Sequence, residues 1–217
     1  EPAARRIFYF ADPMCSWCWG FSPVIAAIAK ACAGEVPVRF CAGGLRAFET
    51  RPMDDRSRAY VRHHWQEVAA QTGQPFDFAF FERESFVYDT EPACRAVVAM
   101  RNLTPEATLA YLAAVQRAFY AGNRDITARD VLTEVAGAFA DPDDFRTVFA
   151  APEIEEATRA DFRLAQGLGI GGFPTVVLQH DRELVALTTG WQPFAALEPP
   201  LRAWLAGWEE GPDAGSA

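Results

Sequence analysis

Apolar positions change their spacing twice along this chain, and the changes mark out three blocks. "RRIFYFAD" (5–12) is an aromatic and β-branched run closed by Asp12-Pro13, which predicts a short buried strand. "CSWCWGFSPVIAAIAKACA", from Cys15 to about Ala33, carries apolar residues at helical spacing, with Gly34 placed to stop it. Gly20 and Pro23 lie inside this stretch and predict a first turn over Cys15 to Trp19 and a kink before the alanine-rich remainder. "VPVRFCAGG" (36–44) predicts a second strand, and a helical crossover between two strands makes them a parallel pair.

From about residue 50 to 168 the spacing is helical throughout, in "DDRSRAYVRHHWQEVAAQTG", "EPACRAVVAMRNL", "TPEATLAYLAAVQRAFYAG", "TARDVLTEVAGAFA" and "APEIEEATRADFRLAQGLG". Several of these open on a capping residue or an early proline, and several close on glycine or asparagine. Strand spacing returns in "TVVLQH" (175–180) and "ELVALTT" (183–189), where His180-Asp181-Arg182 reads as a tight hairpin connection. A last helix, from about Pro193 to Trp208, sets Phe194, Leu197, Leu201, Trp204, Leu205 and Trp208 on one face, and the tail "EEGPDAGSA" predicts disorder. The sum is an α/β chain: β-α-β, a helical block, then β-β-α. It predicts one small mixed sheet with helices on both sides and the helical block against one edge.

With 217 residues, half of them hydrophobic, the chain can bury a sizeable core as one domain carrying a large insertion. A net charge of -9 and the lack of any basic stripe exclude nucleic acid as a partner. No apolar run reaches the ~18–20 residues of a bilayer span, and the first ten residues lack the apolar core of a secretory signal. The expectation is a soluble cytoplasmic chain with no membrane partner, or a periplasmic one if a leader was removed ahead of Glu1. Five cysteines cannot all pair within one chain, and Cys32, Cys41 and Cys94 sit in apolar surroundings, as small buried side chains of a reducing compartment do. Cys94 also stands at a helix start, where a thiol pKa can fall and a second redox role can arise.

The remaining two cysteines form the motif Cys15-Ser16-Trp17-Cys18. Zinc needs four ligands, yet there is no second C-x-x-C, and His63, His64 and His180 lack ligand spacing to a cysteine, so no metal is expected. As a staple, so short a loop removes little entropy from the unfolded chain. A redox dithiol has a direct physical basis. A cysteine at a helix N-terminus meets unpaired N–H groups and the positive end of the dipole, which favours thiolate over thiol and lowers the pKa. Cys18, three residues on, falls on the same face, within the about 4.4–6.8 Å Cα separation that a disulfide tolerates, and is the natural resolving thiol. Trp19 reads as core and Trp17 as a partly exposed apolar surface for a polypeptide. Asp12 is either a turn or cap residue or a proton acceptor beside the thiol. His63-His64 read as one solvated and one packed helix position. In "GIGGFPTVV" (169–177), Pro174 follows a glycine-rich approach and precedes a strand, where a cis X-Pro bond can form a tight bend.

"DPMCSWCWGF" together with "GGFPTVVL" resembles the DsbA family of thiol–disulfide oxidoreductases, in particular its FrnE-like branch of predicted protein disulfide isomerases. The resemblance covers nearly the whole chain. It implies a thioredoxin fold in two pieces (1–48 and 168–209), a helical insertion domain (49–167) and a disordered tail (210–217). It further implies that Cys15 is the nucleophile, Cys18 the resolving cysteine, Pro174 the cis-proline facing the disulfide, and Phe173 a source of backbone polar groups for a bound peptide, with Ser16 and Trp17 completing the substrate surface. The implied activity is exchange with thiol- or disulfide-containing polypeptides. No cofactor is implied beyond the redox-active disulfide, with glutathione admitted as a co-substrate. Ser16-Trp17 departs from the proline-histidine spacer of strongly oxidising members, and Phe173 is bulkier than the small residue often found before the proline. Two other readings share the architecture: a glutathione-dependent transferase or isomerase of the kappa-class or hydroxychromene-carboxylate isomerase type, and a chaperone that uses the groove without turnover. Retention of Cys18 disfavours the first.

Overall fold

The computed structural model describes residues 5–206; the C-terminal tail, the first four residues and Trp208 lie outside the described residues. Four strands form one mixed sheet in the order β2-β1-β3-β4, with β1 Arg5–Ala11, β2 Val38–Ala42, β3 Thr175–His180 and β4 Glu183–Thr189. β2 runs parallel to β1, as the helical crossover predicts, while β3 is antiparallel to both β1 and β4. The predicted hairpin is present, with Asp181 at φ 49° in its two-residue turn. Among the described residues eight α-helices accompany the sheet: α1 Ser16–Ala31, α2 Asp55–Thr72, α3 Glu91–Leu103, α4 Thr108–Tyr120, α5 Arg129–Ala136, α6 Pro142–Ala150, α7 Pro152–Gly167 and α8 Phe194–Ala206. Helix α6 is an addition to the sequence reading. Asp141 accepts from the backbone N–H groups of Asp143 and Asp144 and so caps it, with Pro142 in the first turn.

The period-2 side-chain alternation of β1 divides the core. Ile7, Tyr9 and Ala11 join α1, α8 and much of the helical block in the larger cluster, whereas Phe8 and Phe10 pack with Cys41, Val177 and Ala165 of α7 on the other face. The helices thus lie on both faces of the sheet, and α3 and α7 also close the free edge of β2. There the Phe40 carbonyl accepts from Arg101 of α3, and the Ala42 N–H donates to Asp161 of α7 (2.9 Å). Arg101 in turn pairs with Asp161 at 2.7 Å. An edge strand would otherwise leave these two groups unpaired in a dry setting.

Helix α1 runs unbroken through both Gly20 and Pro23. Gly20 is needed for close approach: a Cβ there would meet Val68 and Thr72 of α2 at 2.9 Å. Pro23 has no N–H for the Trp19 carbonyl four residues earlier, and Gln74 fills the vacancy by donating from Nε2 at 3.0 Å. Gln74→Ala is therefore expected to strand a part-buried carbonyl and cost ~1–3 kcal/mol, read as a lower urea midpoint at unchanged slope.

Candidate active site

β1 ends at Ala11, and the chain turns through Asp12, Pro13 and Met14 so that Cys15 becomes the N-cap residue of α1, with φ -90° and ψ 117°. The turn is fixed by Asp12, which is fully buried. Its backbone carbonyl accepts from the Cys15 N–H at 3.0 Å. Its carboxylate accepts from the Met14 N–H (2.8 Å), the Leu45 N–H (2.7 Å) and the Cys94 thiol (3.4 Å). Burial raises the Asp12 pKa, opposed by these donors and by the Thr90 hydroxyl. The carboxylate thus ties the turn that carries the C-x-x-C motif to the β2–α2 loop and to α3.

The two thiols of the C-x-x-C motif have different surroundings. Cys15 retains 7% exposure and lines a groove of about 220 Å³, whereas Cys18 is 0% exposed behind it. The Cys15 sulfur makes no cap hydrogen bond with the first-turn N–H groups; its thiol donates to the Phe173 carbonyl at 3.6 Å. That carbonyl belongs to a cis Phe173–Pro174 peptide, so the loop 158 residues away meets the dithiol, as the proline motif predicts. Burial pushes the Cys18 thiol well above its ordinary range, and the adjacent Cys15 sulfur adds to the shift. All five cysteines are free thiols.

The other side chains singled out from sequence fall as follows. Ser16 and Trp17 are half-buried and line the groove, as does Phe173, while Pro174 is buried. Trp19 is core, stacked on Tyr120 with ring centroids 6.2 Å apart. His63 is solvated and His64 half-buried at the groove, both beside Glu67. Cys94 is buried, as its apolar surroundings predict, and the alternative of a lowered pKa at the helix start is not met. It lies in the first turn of α3, and burial with the nearby Asp12 charge pushes its thiol up. Cys41 is likewise pushed up to about 12 by burial and then by Asp161. Among the described residues no three His, Cys, Asp or Glu side chains gather as metal ligands.

The far wall of the groove was not visible in the motif. Tyr60, Val61, His64 and Trp65 come from α2, and Leu45, Arg46 and Tyr88 from loops. Trp65 is held by Phe76, Phe80, Phe81, Phe119 and Tyr120, with centroids 4.9–5.7 Å away. The Tyr88 hydroxyl donates to the Met14 carbonyl at 2.7 Å, beneath the Arg46 guanidinium 5.2 Å from its ring. Residues 49–167 therefore supply five of the twelve residues that line the groove, and only the spacing of α2's apolar stripe hinted at it.

The family model described as "DSBA-like thioredoxin domain" matches residues 6–201. A candidate protein disulfide isomerase from Nitrosomonas europaea superposes with TM-score 0.87 at 38% identity, over 94% of this chain and 98% of that one. The cytosolic disulfide reductase DsbM from Pseudomonas aeruginosa gives TM-score 0.75 at 33% identity, over 93% and 97%, and its structure with GSH gives 0.73 at 32%, over 93% and 98%. In sequence, the ClpXP adapter protein SpxH of Bacillus subtilis is 24% identical over 184 residues, 82% of this chain. The chain spans 60% of the length of that relative and 64% of SpxH from Halalkalibacterium halodurans. With a family match that begins in β1, takes in the dithiol and the proline loop and ends in α8, the chain belongs to the DsbA-like thioredoxin-domain family.

Proposed function

We propose that this chain is a cytoplasmic dithiol reductase or isomerase of disulfides, with Cys15 as nucleophile and Cys18 as resolving thiol. The observation that carries the reading is the asymmetry of the pair: one sulfur opens onto a groove under the Phe173–Pro174 loop, and the other is sealed directly behind it. Cys15 attacks a substrate disulfide as thiolate at the positive end of α1, whose first turn contains no acidic residue. Cys18 then attacks Cys15, releasing the reduced substrate and leaving the Cys15–Cys18 disulfide for a second thiol to reduce. A reducing direction is supported by the uncharged Ser16-Trp17 spacer and by the raised Cys18 pKa, since neither stabilises a reduced, anionic pair. The likeness to cytosolic DsbM supports both direction and compartment.

Glutathione is the proposed electron donor, supported by the GSH-bound DsbM structure and by Arg46. That guanidinium lines the groove and has no carboxylate partner among the described residues, so it is open to a substrate carboxylate. Polypeptide disulfides are the proposed oxidised substrates, received by Trp17 and Phe173 together with the exposed Leu45 and Tyr60. Asp12 acts here mainly by holding the turn, its carboxylate being occupied by donors from three segments.

The test is site-resolved alkylation of the reduced protein near neutral pH. Cys15 is expected to label at least ~100-fold faster than Cys18, Cys32, Cys41 or Cys94, all of which are buried with raised pKa values. Comparable labelling of all five would sink the assignment.

A further inference from the structure

A thiol that reduces the Cys15–Cys18 disulfide can reach only Cys15, because Cys18 is fully buried. Cys18 is therefore the leaving group in every such event, and its negative charge appears in a dry interior. Burial makes that anion costly, the Cys15 sulfur and then the Asp12 charge make it costlier, and the Asp12 backbone N–H offsets part of the cost. An additional donor fixed beside this sulfur would act where charge develops.

Tyr9 is such a donor. It lies on the face of β1 turned toward α1, with its ring 5.9 Å from Phe21, and is completely buried. Its hydroxyl has no aligned hydrogen-bond partner in the dithiol state, which is unusual for a buried phenol. What lies beside it is the Cys18 thiol, close enough to hydrogen-bond with the phenol though not in good alignment: burial raises the phenol's pKa well above the ordinary value, and the Cys18 and Cys15 sulfurs raise it further, so the proton stays on oxygen and remains available for donation.

Resting on the dithiol reading above, we propose that Tyr9 is a catalytic residue whose phenol donates a hydrogen bond to the Cys18 sulfur as it departs. In the step concerned, a glutathione thiolate attacks the Cys15 sulfur. A glutathione–Cys15 S–S bond forms, the Cys15–Cys18 bond breaks, and its electron pair leaves on Cys18 as thiolate. Charge is conserved at one negative unit without any proton transfer. The Tyr9 O–H, which has no other acceptor in the dithiol state, is thus left to the departing Cys18 sulfur.

The experiment is rapid-mixing reduction of the oxidised protein by glutathione, with acid-quench analysis of the mixed disulfide. Tyr9→Phe is expected to slow formation of the Cys15–glutathione adduct about tenfold, the worth of a hydrogen bond to a charged acceptor. Its melting temperature is expected to equal or exceed that of the wild type, since a buried orphan hydroxyl has been removed. Phe21→Leu, which loosens the packing beside Tyr9 but keeps the hydroxyl, is expected to react at the wild-type rate. An unchanged rate in Tyr9→Phe overturns the proposal, and so does equal slowing in Phe21→Leu. A wild-type protein whose oxidised form glutathione fails to reduce would instead overturn the functional reading on which the proposal rests.

Discussion

Cys15→Ser is expected to lower disulfide reduction by at least about a thousandfold, because a serine hydroxyl neither ionises near neutrality nor attacks sulfur. Cys18→Ser should behave differently. Its Cys15 still faces the groove and still attacks, but the sulfur that would release the mixed disulfide is gone. Without added small thiol, covalent enzyme–substrate adducts should accumulate on a non-reducing gel, and turnover should fall by about a hundredfold or more, since an intramolecular step has become a bimolecular one. Millimolar glutathione should restore part of that turnover by resolving the adduct from solution. The pair of variants separates the enzyme classes. Full activity of Cys18→Ser without added thiol would overturn the dithiol mechanism in favour of a single-thiol transferase, and full activity of Cys15→Ser would remove redox catalysis at this site.

What could be read from the chain was local. The C-x-x-C at a strand-to-helix junction, the proline loop, the change from period-2 to helical spacing and the solvated and packed members of His63-His64 all follow from neighbours in sequence. What escaped depended on distance. The groove wall from α2 is 45 residues beyond the dithiol, and the Asp12 partners in the β2–α2 loop and α3 are 33 and 82 residues away. Cys94 shows the limit of a local rule. At Cys94, in the first turn of α3, burial and the nearby Asp12 charge outweigh whatever the helix start contributes. Two features were within reach. Asp141-Pro142-Asp143-Asp144 is a helix start in composition, followed by Phe145 and Phe149 four apart, and α6 begins there. Period-2 phasing of β1 back from Ala11 turns Tyr9 to the α1 face, and so toward the helix that bears Cys18.

The largest loss of stability is expected from the buried edge of β2. Asp161, 3% exposed, accepts from the Ala42 N–H and from Arg101, with Arg39 at 3.9 Å as an outer partner. Arg101→Leu removes the inner cation and the donor to the Phe40 carbonyl together, leaving a carboxylate in a site built for an ion pair. Breaking such a pair costs about 3–5 kcal/mol. For a chain of this size that is a fall in melting temperature of roughly 6–20 °C. Asp161→Asn keeps an acceptor for the Ala42 N–H and removes the charge, so it should lose less. The double variant Arg101→Leu with Asp161→Leu removes the stranded charge, yet it leaves the Phe40 carbonyl and the Ala42 N–H without their partners, so it should recover only part of the deficit. Denaturant midpoints of the three variants measure the ordering. If Arg101→Leu melts within a degree of the wild type, the ion pair is not what closes this edge, and the packing of α3 and α7 alone must hold β2 against β1.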